Sequence, residues 1–178
     1  NPDSETIFSI SFCHYAGSGS KITANGTSPS LAVYKQWANT LLNTEDGQFF
    51  SVSSSIVGGV APSENVGYNP VSWPPSGGIS ADEYVYILSA GKKGDEILND
   101  GVPDWKITLS GSDSAGDPQS VSFVSDYEYN QAGFVQQNGL TRYNIVKGTD
   151  SKIAASIDPP TSASFGWFYP EIGVWVFN

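Results

Sequence analysis

The sequence predicts a mainly β protein: an antiparallel sandwich or open barrel of about eight strands, with one amphipathic helix and long loops. Only 15% of the 178 residues are charged, 13% are aromatic, and 19 Gly and 11 Pro interrupt the chain. Short runs of β-branched and aromatic residues recur between clusters of Gly, Pro, Asp and Asn, which is typical of strands joined by turns. A helical period of three to four residues persists in one segment alone.

The first predicted element is a strand over residues 6–15. Phe8, Ile10 and Phe12 alternate there with serines, and this period of two predicts a half-buried strand. Residues 16–27 then contain several Gly and an Asn-Gly pair, which tolerate turn conformations. We therefore expect a surface loop of about a dozen residues after the first strand.

The one predicted helix spans about 29–43. Ser28 is a candidate N-cap, and Pro29 suits the first helical position. Apolar residues recur at helical spacing at Leu31, Tyr34, Ala38, Leu41 and Leu42. This stripe predicts that the helix packs one face against the sheet.

A long irregular excursion is predicted at 53–80, after a short strand at 49–52. The segment is rich in Gly, Pro, Ser and Asn, and no period persists in it. Segments of this length inside a compact domain are generally either functional or disordered. The segment also contains apolar residues that do not suit a solvated tether, namely Val60, Val66, Tyr68, Val71 and Trp73. We therefore expect Tyr68 and Trp73 to anchor a neighbouring subunit.

Short strands dominate the second half of the chain. They are predicted at 84–89, 105–110, 121–124, 143–147, 164–168 and 173–177. Trp167 and Tyr169 belong to an aromatic run that either packs in the core or contributes to an interface, and we include both as interface candidates. The whole of 1–178 is predicted to be one β-rich domain, which is either a full subunit or a fragment of a longer one.

The charge balance argues against two classes of partner. Eighteen acidic residues against eight basic ones give a net charge of -10, and the bases are mostly isolated from one another. Nucleic acid and anionic membrane surfaces are therefore poor partners. No apolar run approaches the length of a membrane span, so we expect no membrane partner.

Catalytic motifs are scarce. Cys13 and His14 are the only cysteine and histidine, and as strand neighbours they point to opposite faces. The Gly-Ser-Gly-Ser run at 17–20 lacks both the helix that follows a nucleophile elbow and the spacing of a phosphate-binding loop. Asp126 and Glu128 would share a strand face, which suits a glycoside hydrolase but also a solvated face. We expect no enzymatic activity.

Cofactor and metal sites are not expected either. A Cys-based zinc site is excluded by the cysteine count. Oxygen-rich turns at 43–47 and 113–117 lack the spacing of an EF-hand loop, so only incidental calcium binding is left open there.

Several motifs together resemble a known family. These are the Gly-Ser-Gly-Ser run within 8–20, the Ser-Pro-Ser helix start within 28–42, the segment 82–88, the Asp-Trp-Lys-Ile-Thr-Leu run within 103–111, and Tyr-Pro-x-x-Gly within 168–178. The chain resembles virion structural proteins of contractile-tailed, T-even-like phages, especially those of marine cyanobacteria. The resemblance covers most of the chain.

This resemblance implies an architectural role without a catalytic motif. The expected protein is a tail, baseplate or neck component of a phage virion that binds other virion subunits, in symmetric multiple copies. The alternative is a carbohydrate-binding β-sandwich, either a receptor-binding tip or a lectin-like module, with a host-surface glycan as ligand. A flat exposed pair of Trp side chains would indicate a sugar ligand, whereas a patch matched to another chain would indicate assembly.

Overall fold

The computed structural model describes residues 8–21, 28–42, 50, 84–90, 105–127, 134–135, 139–149, 152–153 and 164–178. Almost all of the strand predicted at 49–52, and the whole of the excursion predicted at 53–80, lie outside these residues. The described residues form one α-helix and nine strands: β1 (Ser9–His14), α1 (Pro29–Leu41), β2 (Tyr84–Ser89), β3 (Ile107–Ser112), β4 (Pro118–Ser125), β5 (Phe134–Val135), β6 (Thr141–Thr149), β7 (Lys152–Ile153), β8 (Gly166–Tyr169) and β9 (Val174–Phe177).

Seven of these strands form one antiparallel sheet in the order β1-β2-β9-β8-β6-β4-β3, and the two-residue strands β5 and β7 pair with β6. The sheet curls into a half-barrel that carries the one helix. The mainly β fold with one helix is confirmed, in its open-barrel form. In the part of the chain that the structure describes, β1 and β3 are the two edge strands.

The helix packs as the apolar stripe predicted. α1 lies against β1 and buries Tyr34, Ala38 and Leu41. The hydroxyl of the buried Tyr34 accepts a hydrogen bond of 2.9 Å from the backbone N–H of Phe50. The polar end of this side chain therefore has a hydrogen-bond partner inside the core.

Serine hydroxyls fix the start of the helix. Ser28 has the extended backbone of an N-cap residue, but its hydroxyl donates to the carbonyl of Gly17 at 2.6 Å and makes no cap hydrogen bond. Ser20 acts instead, because its Oγ accepts the N–H of Ser30 at 3.2 Å. Ser30 in turn donates to the carbonyl of Ser18 at 2.8 Å. The Gly-Ser-Gly-Ser run is thus built into the helix start.

Glycine is required twice in this run. Gly17 and Gly19 have φ values of 84° and 77°, in the left-handed region that favours glycine. A Cβ on Gly19 would also lie 2.6 Å from the ring of Phe12. The Gly-Ser-Gly-Ser run therefore packs against both β1 and the start of α1.

The two faces of the sheet carry different layers. The face against α1, here called the helix face, holds a buried cluster of Cys13, Tyr34, Ala38, Leu41, Leu42, Phe50, Val85, Ile87, Trp167, Tyr169, Val174 and Val176. The opposite face, here called the groove face, holds a second cluster of Ala90, Trp105, Phe123, Tyr143, Ile145, Phe168 and Trp175. A period of two along each strand separates the two sets.

β1 is half-buried as predicted, but its large apolar residues are not the buried ones. Cys13 is fully buried on the helix face, whereas Phe8 and Ile10 are 47% and 61% exposed on the groove face. The helix covers the side of β1 that carries small residues. Alternation predicts a strand here, but it does not show which face another element covers.

Candidate functional site

A groove of about 630 Å³ lies on the groove face, and we call it the apolar groove. Its lining residues are Ile10, Phe12, Tyr84, Tyr86, Leu88, Ile107, Leu109, Phe123, Phe165, Phe177 and Asn178. β1 and β3 are opposite edges of the sheet, and both contribute lining residues. The curl of the sheet therefore makes this face concave and brings its two edges to one groove.

Among the residues that the structure describes, the lining contains no charged side chain. The polar side-chain groups of these residues are the hydroxyls of Tyr84 and Tyr86 and the amide of Asn178. Ile10, Leu109 and Tyr86 are 61%, 53% and 45% exposed. Contiguous exposed apolar patches of this kind on a protein surface mark binding sites.

Aromatic rings form one wall of the apolar groove. Phe12 faces Tyr86 across the β1–β2 pair, with ring centroids 5.4 Å apart and planes inclined by 54°. Tyr84 meets Tyr86 edge-on, at 6.2 Å and 77°. These inclined rings make a ridged apolar wall, unlike a flat stacking platform.

The groove is continuous with the core beneath it. Phe123 and Phe177 line the groove and pack edge to face at 5.9 Å. Deeper on the same face, Phe168 stacks on Trp175 at 4.8 Å, and Trp105 packs edge-on against both rings. The side chains below the opening are therefore held by close packing, which preforms the groove.

Two of the four predicted interface residues lie in the core. Trp167 and Tyr169 are both fully buried on the helix face, so neither presents a surface to a partner. The guanidinium of Arg142 lies 4.2 Å above the centre of the Trp167 ring, and burial raises the pKa of Tyr169. The interface assignment of this pair is wrong, because the aromatic run on β8 packs beneath α1. The other two predicted anchors, Tyr68 and Trp73, lie outside the described residues.

Asp126, one half of the glycosidase pair considered above, is a buried structural residue. Its carboxylate accepts hydrogen bonds from the backbone N–H and the side-chain amide of Asn144, at 2.8 and 2.9 Å. Its own N–H donates to the carbonyl of Asn144 at 2.9 Å. Glu128 lies outside the described residues. The position of Asp126 supports strand packing between β4 and β6.

Cys13 and His14 point to opposite faces of β1, as strand geometry predicted. Burial raises the pKa of the Cys13 thiol to about 12, which keeps it protonated and unreactive. His14 accepts the N–H of Ala16 at Nδ1, 3.1 Å away. Within the described part of the chain, His, Cys, Asp and Glu side chains form no group of three or more that would hold a metal ion.

The oxygen-rich turn at 113–117 joins β3 to β4. One oxygen of the Asp113 carboxylate accepts the N–H groups of Ala115 and Asp117 at 2.9 and 3.0 Å, and the other accepts the side-chain amide of Gln119 at 3.0 Å. These hydrogen bonds lower the pKa of Asp113. The carboxylate thus closes the hairpin.

Comparison with protein-family models, curated proteins and solved structures finds no match for this chain. Among the residues described, no helix has the length and apolar character needed to cross a membrane. The apolar groove is therefore the feature on which a functional argument rests.

Sequence reasoning did not identify this groove. Its aromatic wall includes Tyr84 and Tyr86, which alternate with Val85 and Ile87 along β2. A strand with large apolar residues at both sets of alternate positions has two faces that favour burial. The sequence of β2 therefore carried a signal for a second apolar face, because a strand with one solvated face alternates between apolar and polar residues.

Proposed function

We propose that this protein is a structural component of a phage virion, in the tail, baseplate or neck, and that it acts through subunit–subunit contacts. The apolar groove supports this proposal because it offers a concave surface with large exposed apolar side chains and, among its described residues, no charged side chain. Such a surface gains free energy when another chain covers it. The resemblance of the sequence motifs to virion proteins supplies the biological setting.

The chemistry of the groove favours binding over catalysis. General acid–base or nucleophilic catalysis requires an ionisable or nucleophilic side chain at the reacting atoms. The side chains of the described lining residues offer two Tyr hydroxyls and the Asn178 amide, and no carboxylate, amine, imidazole or thiol. Apolar contact is what this lining provides.

A carbohydrate-binding role is less well supported by the same geometry. Sugar recognition combines a flat aromatic face with several hydrogen-bonding groups around it. The rings of Phe12, Tyr84 and Tyr86 are inclined to one another, and the lining is poor in polar groups. The rings of Trp105, Trp167 and Trp175 are buried and offer no stacking face to a sugar.

Purified virions provide the test of this proposal. Quantitative mass spectrometry of particles from the phage that encodes the chain is expected to find the protein at a fixed stoichiometry. Leu109→Asp places a charge in the groove, and burying that charge against a partner should reduce incorporation by roughly tenfold or more. Absence of the chain from purified particles would overturn the virion role.

Ser110→Asp is the matched control. Ser110 is the next residue on β3, is also exposed, and by strand alternation points away from the groove. The control adds the same charge at almost the same place in the fold, so it should be incorporated as the unsubstituted protein is. Equal incorporation of both variants would exclude the groove as the contact surface.

A further inference from the structure

We infer that the apolar groove accepts an extended, uncharged segment of a different polypeptide chain, which pairs with the free edge of β1 as an additional strand. This inference rests on the proposed function and specifies the kind of partner. It combines three observations: a strand edge that pairs with no other described strand, an apolar groove beside that edge, and a net charge that opposes association of two copies.

The first observation is the edge of β1. In the described part of the chain β1 pairs with β2 on one side, and its other side is an edge of the sheet. Edge strands usually carry Lys, Pro or a bulge that prevents pairing with another chain. β1 reads Ser-Ile-Ser-Phe-Cys-His and has neither Lys nor Pro, and its pairing with β2 runs without interruption from Ser9 to His14. Ser9 and Ile10 are exposed.

The second observation is the position of the groove relative to this edge. Ile10 and Phe12 of β1 point into the groove, and Leu109 on the opposite edge strand faces the same space. A strand added beside β1 would direct every second side chain to the groove face. Backbone hydrogen bonds would then hold the segment, while apolar residues at positions i, i+2 and i+4 would fill the groove.

The third observation is charge. The net charge of -10 opposes association of two copies. Six large apolar side chains on and around the groove are 37–61% exposed. At about 150–250 Å² for a large side chain, they offer roughly 400–700 Å² of apolar surface to a partner. An uncharged strand from a different chain covers this surface without the repulsion that a second copy would add.

Binding of synthetic peptides to the 178-residue chain tests the inference. The probe is a blocked peptide in which Val and Thr alternate over seven residues, with one Lys at each end for solubility and a fluorophore for anisotropy measurements. Two further peptides carry N-methyl groups, one at each Val and the other at each Thr. Alternate N–H groups of a strand point to opposite edges, so the two peptides block opposite edges of the same strand.

Strand addition predicts an asymmetric result. One N-methylated peptide is expected to bind as the parent does, and the other at least tenfold more weakly, because only one edge of the peptide faces β1. Leu109→Asp should weaken binding of the parent peptide by at least tenfold, and Ser110→Asp should leave it unchanged. If both N-methylated peptides bind equally, strongly or weakly, or if the parent does not bind, the inference is overturned.

Two other occupants give distinct outcomes. Saturable binding of the neutral dye Nile red that the parent peptide does not displace would assign the groove to a small lipophilic molecule. A concentration-dependent dimer in analytical ultracentrifugation that Leu109→Asp abolishes would assign it to a second copy. Either result overturns the strand inference. Virion incorporation is measured independently of peptide binding. If the chain is present in particles but binds no peptide, only the strand inference is overturned. If the chain binds the peptide but is absent from particles, only the virion role is overturned.

Discussion

The two faces of the sheet are built from similar side chains and have opposite exposures. On the helix face, Ile87 and Trp167 are at most 1% exposed beneath α1. On the groove face, Ile10 and Tyr86 are 61% and 45% exposed, although they belong to β1 and β2, which also contribute to the helix face. Large apolar side chains alone therefore do not define the core. The covering element decides which face becomes core and which remains exposed.

This difference has an energetic meaning. Each face of an antiparallel sheet that is rich in apolar residues gains free energy when it is covered. α1 provides that cover on one side. Among the described elements no helix covers the apolar groove, so a partner that covered it would gain free energy of the same kind. Substitutions on the helix face should therefore affect stability, and substitutions in the groove should affect binding.

The largest effect is expected at Trp167. Trp167→Ala should lower the free energy of unfolding by about 3–5 kcal/mol, because it leaves a cavity beneath the helix and removes the ring under Arg142. Urea denaturation followed by circular dichroism measures the change. Trp37→Ala, at a partly buried site of α1, is the control and should cost less. A loss below about 1 kcal/mol at Trp167 would show that the helix face is loosely packed.

A matched pair of isoleucines compares the faces directly. Ile87→Ala removes a buried side chain and should cost about 2–5 kcal/mol. Ile10→Ala makes the same chemical change at a residue that is 61% exposed and should cost less than about 1 kcal/mol. Equal losses in thermal and urea denaturation would contradict the distinction between a covered and an open face.

The smallest effect is expected at the β3–β4 hairpin, which borders the groove. Hydrogen bonds lower the pKa of Asp113 below its ordinary value, so the carboxylate stabilises the turn at pH values above that ordinary value. This stabilisation should disappear as the pH falls through the lowered pKa. An NMR titration of the Ala115 and Asp117 amides measures it, and Asp113→Asn should remove the pH dependence. Unchanged amide shifts across acidic pH would show that the carboxylate does not hold the hairpin.

The sequence predicted the features that depend on local pattern. The apolar stripe of α1 predicted both the helix and the burial of Tyr34, Ala38 and Leu41. Alternation predicted β1, and a run of β-branched and aromatic residues between turn residues predicted β2. Alternation could not show which face α1 covers, and for that reason Trp167, which lies beneath the helix, was mistaken for an interface residue.

The groove depends on contacts distant in sequence. Ile10 and Leu109 lie on opposite edge strands and line one groove because the sheet curls. A period of two within one strand carries no information about that curl. Local patterns therefore predicted the strands that form the wall, but not the site that they enclose.

Thiol labelling at two positions of β1 tests the central claim most directly, namely that the groove face is open in the free chain and covered by a partner in the particle. Cys13 is fully buried with a raised pKa, whereas position 10 is 61% exposed. In the isolated chain, the thiol of an Ile10→Cys, Cys13→Ser variant should react with a maleimide at least about 100-fold faster than Cys13 of the unsubstituted chain. In purified virions both thiols should be protected. Slow labelling of position 10 in the isolated chain, or equally fast labelling in the virion, would contradict the account.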